Sequence, residues 1–497
     1  MSRKKPIVYN ALLLTAVNLL LRFASTSFQV YLSGKIGAAG IGLLQLVLSV
    51  GGFAITFGMG GIRTATMYLC AEVVGQKRTE NMHWVLSGCI RYSLLLSLTA
   101  GIGLYYFAPK IAELWISNLT TITAIRLLAC LIPINCLCGV MVGHYTGMSR
   151  IRTLAAVEVG EQILTIVATI LLLNHWAGND TSRACQAVIM AGGLGACFTL
   201  AVLIILKKKE YTKIGKCISI KKRLFATAVP LGIADDVKVG INTLENLMVP
   251  KRLALFSGER APLAAFGTVC GMVFPVLMFP AAILFALAEL LIPELARCNA
   301  AESRTRIGHL AERSFLLAMI YGFLCGGILF LCADHLCYTL YKTTEAGKYL
   351  RMFALLAPML YCDAIVDAMI KGLGQQKLCV RYNIITSAMD VILLFILLPK
   401  YGMNGYYISF FITHLINFIL SLRLLTKLVD KLVTRKSAFL CIAIASFSVI
   451  LARLITYPLI RCMAFIILFG SLLVLFCVIQ SNDIRWFKGL VFPRRVD

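Results

Sequence analysis

Apolar runs of about 20 residues recur along this chain, each long enough to cross the hydrocarbon of a bilayer as a helix. They fall at about 7–31, 41–66, 84–107, 121–145, 155–174, 184–206, 224–249, 262–292, 310–332, 346–370, 379–398, 404–426, 437–456 and 460–479. Hydrocarbon offers no water to a backbone N–H or C=O, so each run must be a helix or a strand of a closed barrel. The runs do not alternate apolar with polar residues, which excludes the barrel. The expected fold is an all-α polytopic membrane protein of about fourteen transmembrane helices. Composition supports this. Only 14% of the 497 residues are charged, against roughly 25% in soluble domains.

The net charge of +25 has a topological reading. Six Lys and Arg within spans or at their ends are set aside (Arg22, Arg63, Arg91, Arg126, Lys238 and Arg351). With each of the others assigned to its nearest loop, the termini and the even-to-odd loops hold 31 and the odd-to-even loops 11. Both termini are therefore expected on the cytoplasmic side of the cell membrane, and no nucleic-acid partner is needed. Ser2-Arg3-Lys4-Lys5 leads straight into a full-length span, so no cleavable signal is read. The 18 Cys are scattered, mostly inside apolar runs, without a recurring metal spacing. There is no nucleotide-binding loop, zinc-type His motif or nucleophile elbow. The expectation is no catalytic residue, no metal site and no cofactor, hence not an enzyme.

The richest basic loop, 207–223, divides the chain and is expected to lie on the anionic inner leaflet. On either side, Arg126, Pro133 and Gly147 recur as Arg351, Pro358 and Gly372 at one offset without a gap. The identities are few, so chance stands as the alternative. A shared register across two helices favours duplication of a six-helix unit, which makes parallel repeats about an axis along the membrane normal. The expected organisation is an N-lobe at 1–206, the basic cytoplasmic linker 207–223, a C-lobe at 224–430, and two further helices with a cytoplasmic tail at 431–497.

Charge within a bilayer costs at least about 2.5–3.5 kcal/mol per group, so such a group usually faces a cavity or a partner. The first span carries Asn18, Arg22, Ser25 and Gln29 at helical spacing, with Arg22 about mid-span. The second carries Gln45, Ser49, Gly52, Thr56 and Gly60 and ends at Arg63. That small-residue face suits a cavity or helix packing equally. The seventh carries Asp235, Lys238, Asn242 and Glu245, after Pro230, which is expected to break the helix. Asp235 and Lys238 are one turn apart and can neutralise each other. Glu245 has no local partner, which points to a cation on the first or second span. The group is read either as internal salt bridges or as one wall of a water-filled cavity. The eighth span carries Pro275 and Pro280 and is expected to bend there, as a hinge. In the tenth span Lys371 is expected to pair with Asp367, one turn from Asp363. In the fifth, Glu158 and Glu161 suit a helix N-terminus.

Several stretches resemble the stage V sporulation protein B group of the multidrug/oligosaccharidyl-lipid/polysaccharide exporter superfamily, itself similar to lipid II flippases. They are Ala39-Gly40-Ile41-Gly42-Leu43-Leu44-Gln45, the Glu161-Gln162 pair, Ala228-Val229-Pro230, Leu244-Glu245, and the run from Phe274 to Pro280 that leads on to Leu291-Ile292-Pro293. They stand in the same order along nearly the whole chain. The resemblance implies two pseudo-symmetric six-helix lobes around a central cavity, alternating access, and a lipid-linked saccharide moved from the inner to the outer leaflet. It also implies cavity arginines, for which Arg22 and, by position at a helix end, Arg63 are the matching candidates. The cluster around Asp235, Asp236 and Lys238 matches no motif of that group.

The cargo so implied is a polyprenyl-pyrophosphate-linked saccharide. Arg22 and Arg63 would hold its pyrophosphate by forked hydrogen bonds, Asn18, Gln29, Gln45 and Asn242 would line a hydrated sugar site, and Lys238 is a further substrate-binding candidate in the cavity. The tail would stay among the membrane lipids. Asp235 or Glu245 would bind a coupling H+ or Na+, unless the membrane potential alone drives the cycle. The protein is expected to work as a monomer. The alternative is a cation-coupled antiporter of drugs or organic cations from the same superfamily, to which Asp235, Asp236 and Glu245 are suited and Arg22 is not. A third reading is a non-transporting scaffold for envelope assembly.

Overall fold

In the computed structural model the described residues are 4–76, 81–178, 180–208, 221–258, 261–429, 435–476 and 478. Among them there is no strand. The helices are α1 (Lys4–Met59), α2 (Ile62–Gly75), α3 (Met82–Ile111), α4 (Ile122–Gly147), α5 (Ile151–Leu172), α6 (Thr181–Lys208), α7 (Lys221–Leu253), α8 (Pro262–Thr268), α9 (Phe274–Met278), α10 (Ala281–Ala300), α11 (Arg304–Tyr341), α12 (Glu345–Ala354), α13 (Ala357–Gly372), α14 (Gln376–Tyr401), α15 (Met403–Leu428), α16 (Arg435–Ala452) and α17 (Pro458–Leu475). Among the described residues, nine helical stretches are long and apolar enough to cross a membrane, and eleven if each of two bent pairs is one span. The other expected spans have physical explanations. The first two are counted together as Leu19–Gly75. The seventh, α7, carries too much charge for an apolar test. The thirteenth has only the shorter apolar stretch Ser437–Ala452.

Breaks fall where the backbone is permissive. At Gly37 (φ 72°) α1 kinks between the first two expected spans. Gly60 (φ 46°) and Gly61 (φ 70°) interrupt the second span before α2, a conformation glycine reaches without a Cβ clash. Tyr92 donates its hydroxyl to the Gly60 carbonyl at 3.1 Å, satisfying an acceptor the break exposes. The eighth span bends by 61° between Met278 and Ala281, at Phe279–Pro280, with Pro275 opening α9 one turn earlier. Pro230 does not break its helix, contrary to expectation: α7 is continuous through it. A spanning helix tolerates the one lost bond where neighbours resatisfy the freed carbonyl.

The chain forms two compact units, one of Met1–Gly271 with Val391–Met403, the other of Met272–Asp390 with Asn404–Asp497. Within the first, a side chain at Gly101 would meet the Ala129 carbonyl and Pro133. Within the second, Gly326 faces the Ala354 carbonyl and Pro358 in the same way. Gly147 lies against the Met67 carbonyl and Cys70 Cβ, and Gly372 against the Ile292 carbonyl and Leu295 Cβ. All these pairs keep the offset that relates Arg126 to Arg351. Recurrence of contacts as well as residues decides for duplication over chance. The first unit also contains a self-complementary crossing: Gly42 packs on the Leu263 carbonyl, and Gly267 on the Ala38 carbonyl. Each member of one contact is the repeat equivalent of a member of the other, the signature of a twofold relation.

The copies are not identical. Pro133 lies inside the continuous α4, whereas the equivalent Pro358 follows a 53° bend between α12 and α13. Arg126 sits over the Tyr105 ring, with 4.9 Å from Cζ to the centroid, while Arg351 forms an ion pair with Asp334.

Candidate functional site

The expected polar stripes lie on α1 and α7, which pack together in the first unit. Their contact is a polar seam of small groups. Thr243 Oγ1 donates to the Ser49 carbonyl at 3.2 Å, and Asn246 Nδ2 donates to Ser49 Oγ at 3.0 Å. Further along, Gly240 approaches the Phe53 ring, and Gly232 lies on the Gly60 backbone. Short side chains let the helices approach closely while the hydroxyl and amide groups satisfy each other.

Away from this seam, α7 has two exposed flanks of opposite character. Val229, Ile233, Val237 and Leu244 form one. Asp235, Lys238 and Asn242 form the other, with Glu245 half-buried at its edge. At 100° per residue the flanks are centred roughly 150° apart, with the packed face between them. No ion pair joins Asp235 to Lys238: both are exposed, and the expected mutual neutralisation is not made. The first part of α1 repeats the pattern. Arg22 and Ser25 are exposed on one side, and Leu20 (67% exposed), Phe23 and Tyr31 on the other, again more than about 150° apart. Gln29, on the Arg22 side, donates to the Gly271 carbonyl at 3.3 Å. Arg22 and Glu245 each engage a neighbouring group. The Asn18 side chain lies outside the described residues.

Gln45 and Arg63 lie away from these two polar flanks. Gln45 is half-buried, its carbonyl accepting from Ser49 Oγ at 2.8 Å. Arg63 is the second residue of α2, just beyond the Gly60–Gly61 break, with its carbonyl against Gly143 and its side chain exposed. Glu158 lies within its electrostatic range. Glu161 accepts from Thr199 Oγ1 at 2.5 Å, so it is held by α6 as well as by its place on α5. The neighbour of Asp235 that sequence spacing passed over, Asp236, turns inward, and its Oδ1 is buried without a hydrogen-bond partner.

An apolar pocket of about 420 Å³ opens in the first unit, lined among others by Phe53, Phe57, Leu104, Phe107 and Trp115, with Lys110 and Thr243 among its few polar neighbours. Such a lining suits hydrocarbon and not sugar.

The second unit holds a buried polar network on α13, α14 and α15. Asn417 Nδ2 donates to Asp363 Oδ2 at 3.1 Å. Asp367 is approached by Lys371 at 3.8 Å, as expected from the spacing, and accepts from Asn383 and Ser421 at 3.4 Å. Ser409 and Thr413 donate to Asp390 Oδ1 at 2.5 and 3.2 Å. Asp363 Oδ1 and Asn417 Oδ1 are both buried without a partner. Two orphaned oxygens on hydrogen-bonded neighbours are acceptors that a small cation or a proton would satisfy. Sequence spacing found Asp363 and Asp367. Asn383, Asp390 and Asn417 stood alone in apolar runs and carried no signal until the helices packed. Among the described residues no group of three His, Cys, Asp or Glu is placed to hold a metal ion.

Comparison with known proteins agrees with this architecture. The MatE family model matches residues 255–396. Stage V sporulation protein B of Bacillus subtilis (strain 168) is 22% identical over 414 residues, 81% of this chain and 80% of that protein. Among solved structures, the lipid II flippase MurJ in an inward closed conformation superposes with a TM-score of 0.69 at 14% identity, covering 94% of this chain and 98% of its own. An inward-facing multidrug resistance transporter of the MATE family superposes with a TM-score of 0.64 at 15% identity, covering 82% and 96%. The chain is thus similar, over most of its length, to proteins of the multidrug/oligosaccharidyl-lipid/polysaccharide exporter superfamily.

Proposed function

We propose that this protein is a flippase that moves a lipid-linked oligosaccharide, or a peptidoglycan or polysaccharide precursor, from the inner to the outer leaflet of the cell membrane by alternating access. The observation that carries the proposal is the pair of divided exposed flanks on α1 and α7. Lipid accounts for the apolar flanks. It does not account for Arg22, Asp235 and Lys238, each of which would cost several kcal/mol in hydrocarbon. A water-filled chamber does. A guanidinium there suits a pyrophosphate, because it offers paired donors and keeps its charge. Lys238, Asn242 and Gln29 supply further donors. Arg63 serves as a second phosphate contact nearer the cytoplasmic end. The bilayer, with the apolar pocket beside α3, accommodates the lipid tail.

Alternation requires helices that bend. The 61° bend at Pro280, with Pro275 one turn away, is the proposed hinge. Pro230 lies in an unbroken helix and serves only where α7 flexes during the cycle. Driving force comes from an ion gradient or the membrane potential, worth about 2.3 kcal/mol per charge per 100 mV. The coupling H+ or Na+ is bound at Asp235 or Glu245 on α7, or at the orphaned oxygens of Asp363 and Asn417. The protein works as a monomer between an N-lobe at 1–206 and a C-lobe at 224–430, with both termini in the cytoplasm and no enzymatic step. Similarity to a lipid II flippase supports a lipid-linked cargo.

The test is a flipping assay on membranes carrying the precursor, scored by its access to an outer-leaflet probe. Hydrogen bonds to charged groups are worth about 1.5–3 kcal/mol, so Arg22→Ala should slow flipping by roughly ten- to hundredfold while the protein remains folded in the membrane. Unchanged flipping removes the phosphate role. Drug efflux by the wild-type protein without flipping of the precursor favours the antiporter.

A further inference from the structure

Helices α16 and α17 lie beyond the duplicated repeats, and α17 is seated closely on α11 in the second unit. A side chain at Gly327 would collide with the Phe465 ring, which fills the space glycine leaves. One turn on, Arg461 Nη1 donates to the Leu331 carbonyl at 3.4 Å, and its Nε to the Ile455 carbonyl at 2.8 Å. Arg453 lies over the Phe330 ring, with Cζ 4.8 Å from the centroid. At the next residue, Cys332 Sγ and Cys462 Sγ touch at 2.8 Å. The two residues are far apart in sequence and come together only through this docking.

Their depth is set by the charges around them. Along α11 the residues from Ser314 to Ala333 carry no charge, about the length of one span. Asp334 and His335 follow at once, both exposed, with Asp334 in its ion pair with Arg351. On α17 the chain enters through Tyr457, Pro458 and Arg461. The sulfurs therefore sit at the water–membrane boundary and not in the middle of the bilayer. With both termini cytoplasmic, this end of α11 faces outward, where thiol oxidants act and glutathione does not.

We propose that Cys332 and Cys462 form a disulfide that staples the C-terminal helix pair to the outer end of α11. Covalent S–S contact needs about 0.8 Å of further approach. Cys332, the more accessible sulfur, attacks the disulfide of an extracytoplasmic dithiol–disulfide oxidant as its thiolate. One thiol of the oxidant leaves, and a mixed disulfide forms. Cys462 then attacks Cys332 Sγ and releases the second thiol of the oxidant. Two protons leave the cysteines and two electrons pass to the oxidant, which ends as the dithiol. The inference rests on the proposed orientation of the chain.

The test uses the full chain with a protease site inserted at Gly374–Gln375 and an affinity tag at the C-terminus. Cells are quenched with N-ethylmaleimide before lysis, and the purified protein is cut and run on denaturing gels. The two fragments should stay in one band without reductant, separate with it, and separate without it in Cys462→Ser. Separation of the wild-type fragments without reductant overturns the disulfide. Protease added outside intact cells reports orientation independently. A protected tag together with separated fragments overturns the disulfide alone, and a digested tag overturns the orientation.

Discussion

Among the described residues, charged groups within the spans meet different fates: Asp367 is held by partners, Asp236 and Asp363 each keep a buried oxygen without one, and Asp235 and Lys238 are exposed on a polar flank. The unpartnered oxygen of Asp363 allows a prediction. If that oxygen and Asn417 Oδ1 hold the coupling cation, Asp363→Asn should abolish the dependence of flipping on the cation gradient. It should leave the thermal midpoint in detergent unchanged or raised, because a buried charge has been removed. A lowered midpoint with gradient dependence intact would make the network structural. The polar stripes on the first and seventh spans were legible in the sequence because four polar groups at helical spacing are visible in an apolar background. Asp236 was not separable from Asp235 by spacing alone. Which of two adjacent carboxylates turns inward is set by the face that α7 packs, and that face, through Gly232 and Ala228, lies on the Gly60–Gly61 break.

Among the helices, glycines set how closely neighbours approach. Ala38, Gly42, Leu263 and Gly267 form the self-complementary crossing, with no space for a Cβ on either glycine. Overpacking there should cost about 1–3 kcal/mol. Gly42→Ala should therefore lower the thermal midpoint and slow flipping. Gly52→Ala, which meets nothing within 4 Å, should be neutral or stabilising by about 0.5–1 kcal/mol. Equal midpoints for the two variants would show that the crossing is not tight. Helix existence was readable from run length, and the bend of the eighth span from its prolines. The breaks at Gly60–Gly61 and before Pro358 were not. Proline and glycine disturb a helix only where neighbouring backbone makes the break affordable, as the contrast between Pro133 and Pro358 shows.

For the whole molecule, composition and run length were enough for the class of fold, and the ordered motifs for the likeness to stage V sporulation protein B. The duplication was faint in sequence because each recurring contact needs a glycine on one side and only a backbone carbonyl on the other, where the residue type is free to differ between the copies, as Met67 and Ile292 do. It became plain when Gly101 and Gly326 proved to cover equivalent carbonyls. What the function requires of the assembled protein is that the polar flanks of α1 and α7 meet water while their apolar flanks meet lipid. Cysteines placed one at a time at Arg22 and at Phe23, in membranes, measure this directly through the rate of reaction with a negatively charged methanethiosulfonate above the wild-type background. The account expects the cysteine at 22 to react readily and be protected by the lipid-linked precursor, and the one at 23 to stay inert. A cysteine at 22 no more reactive than the one at 23 would contradict it.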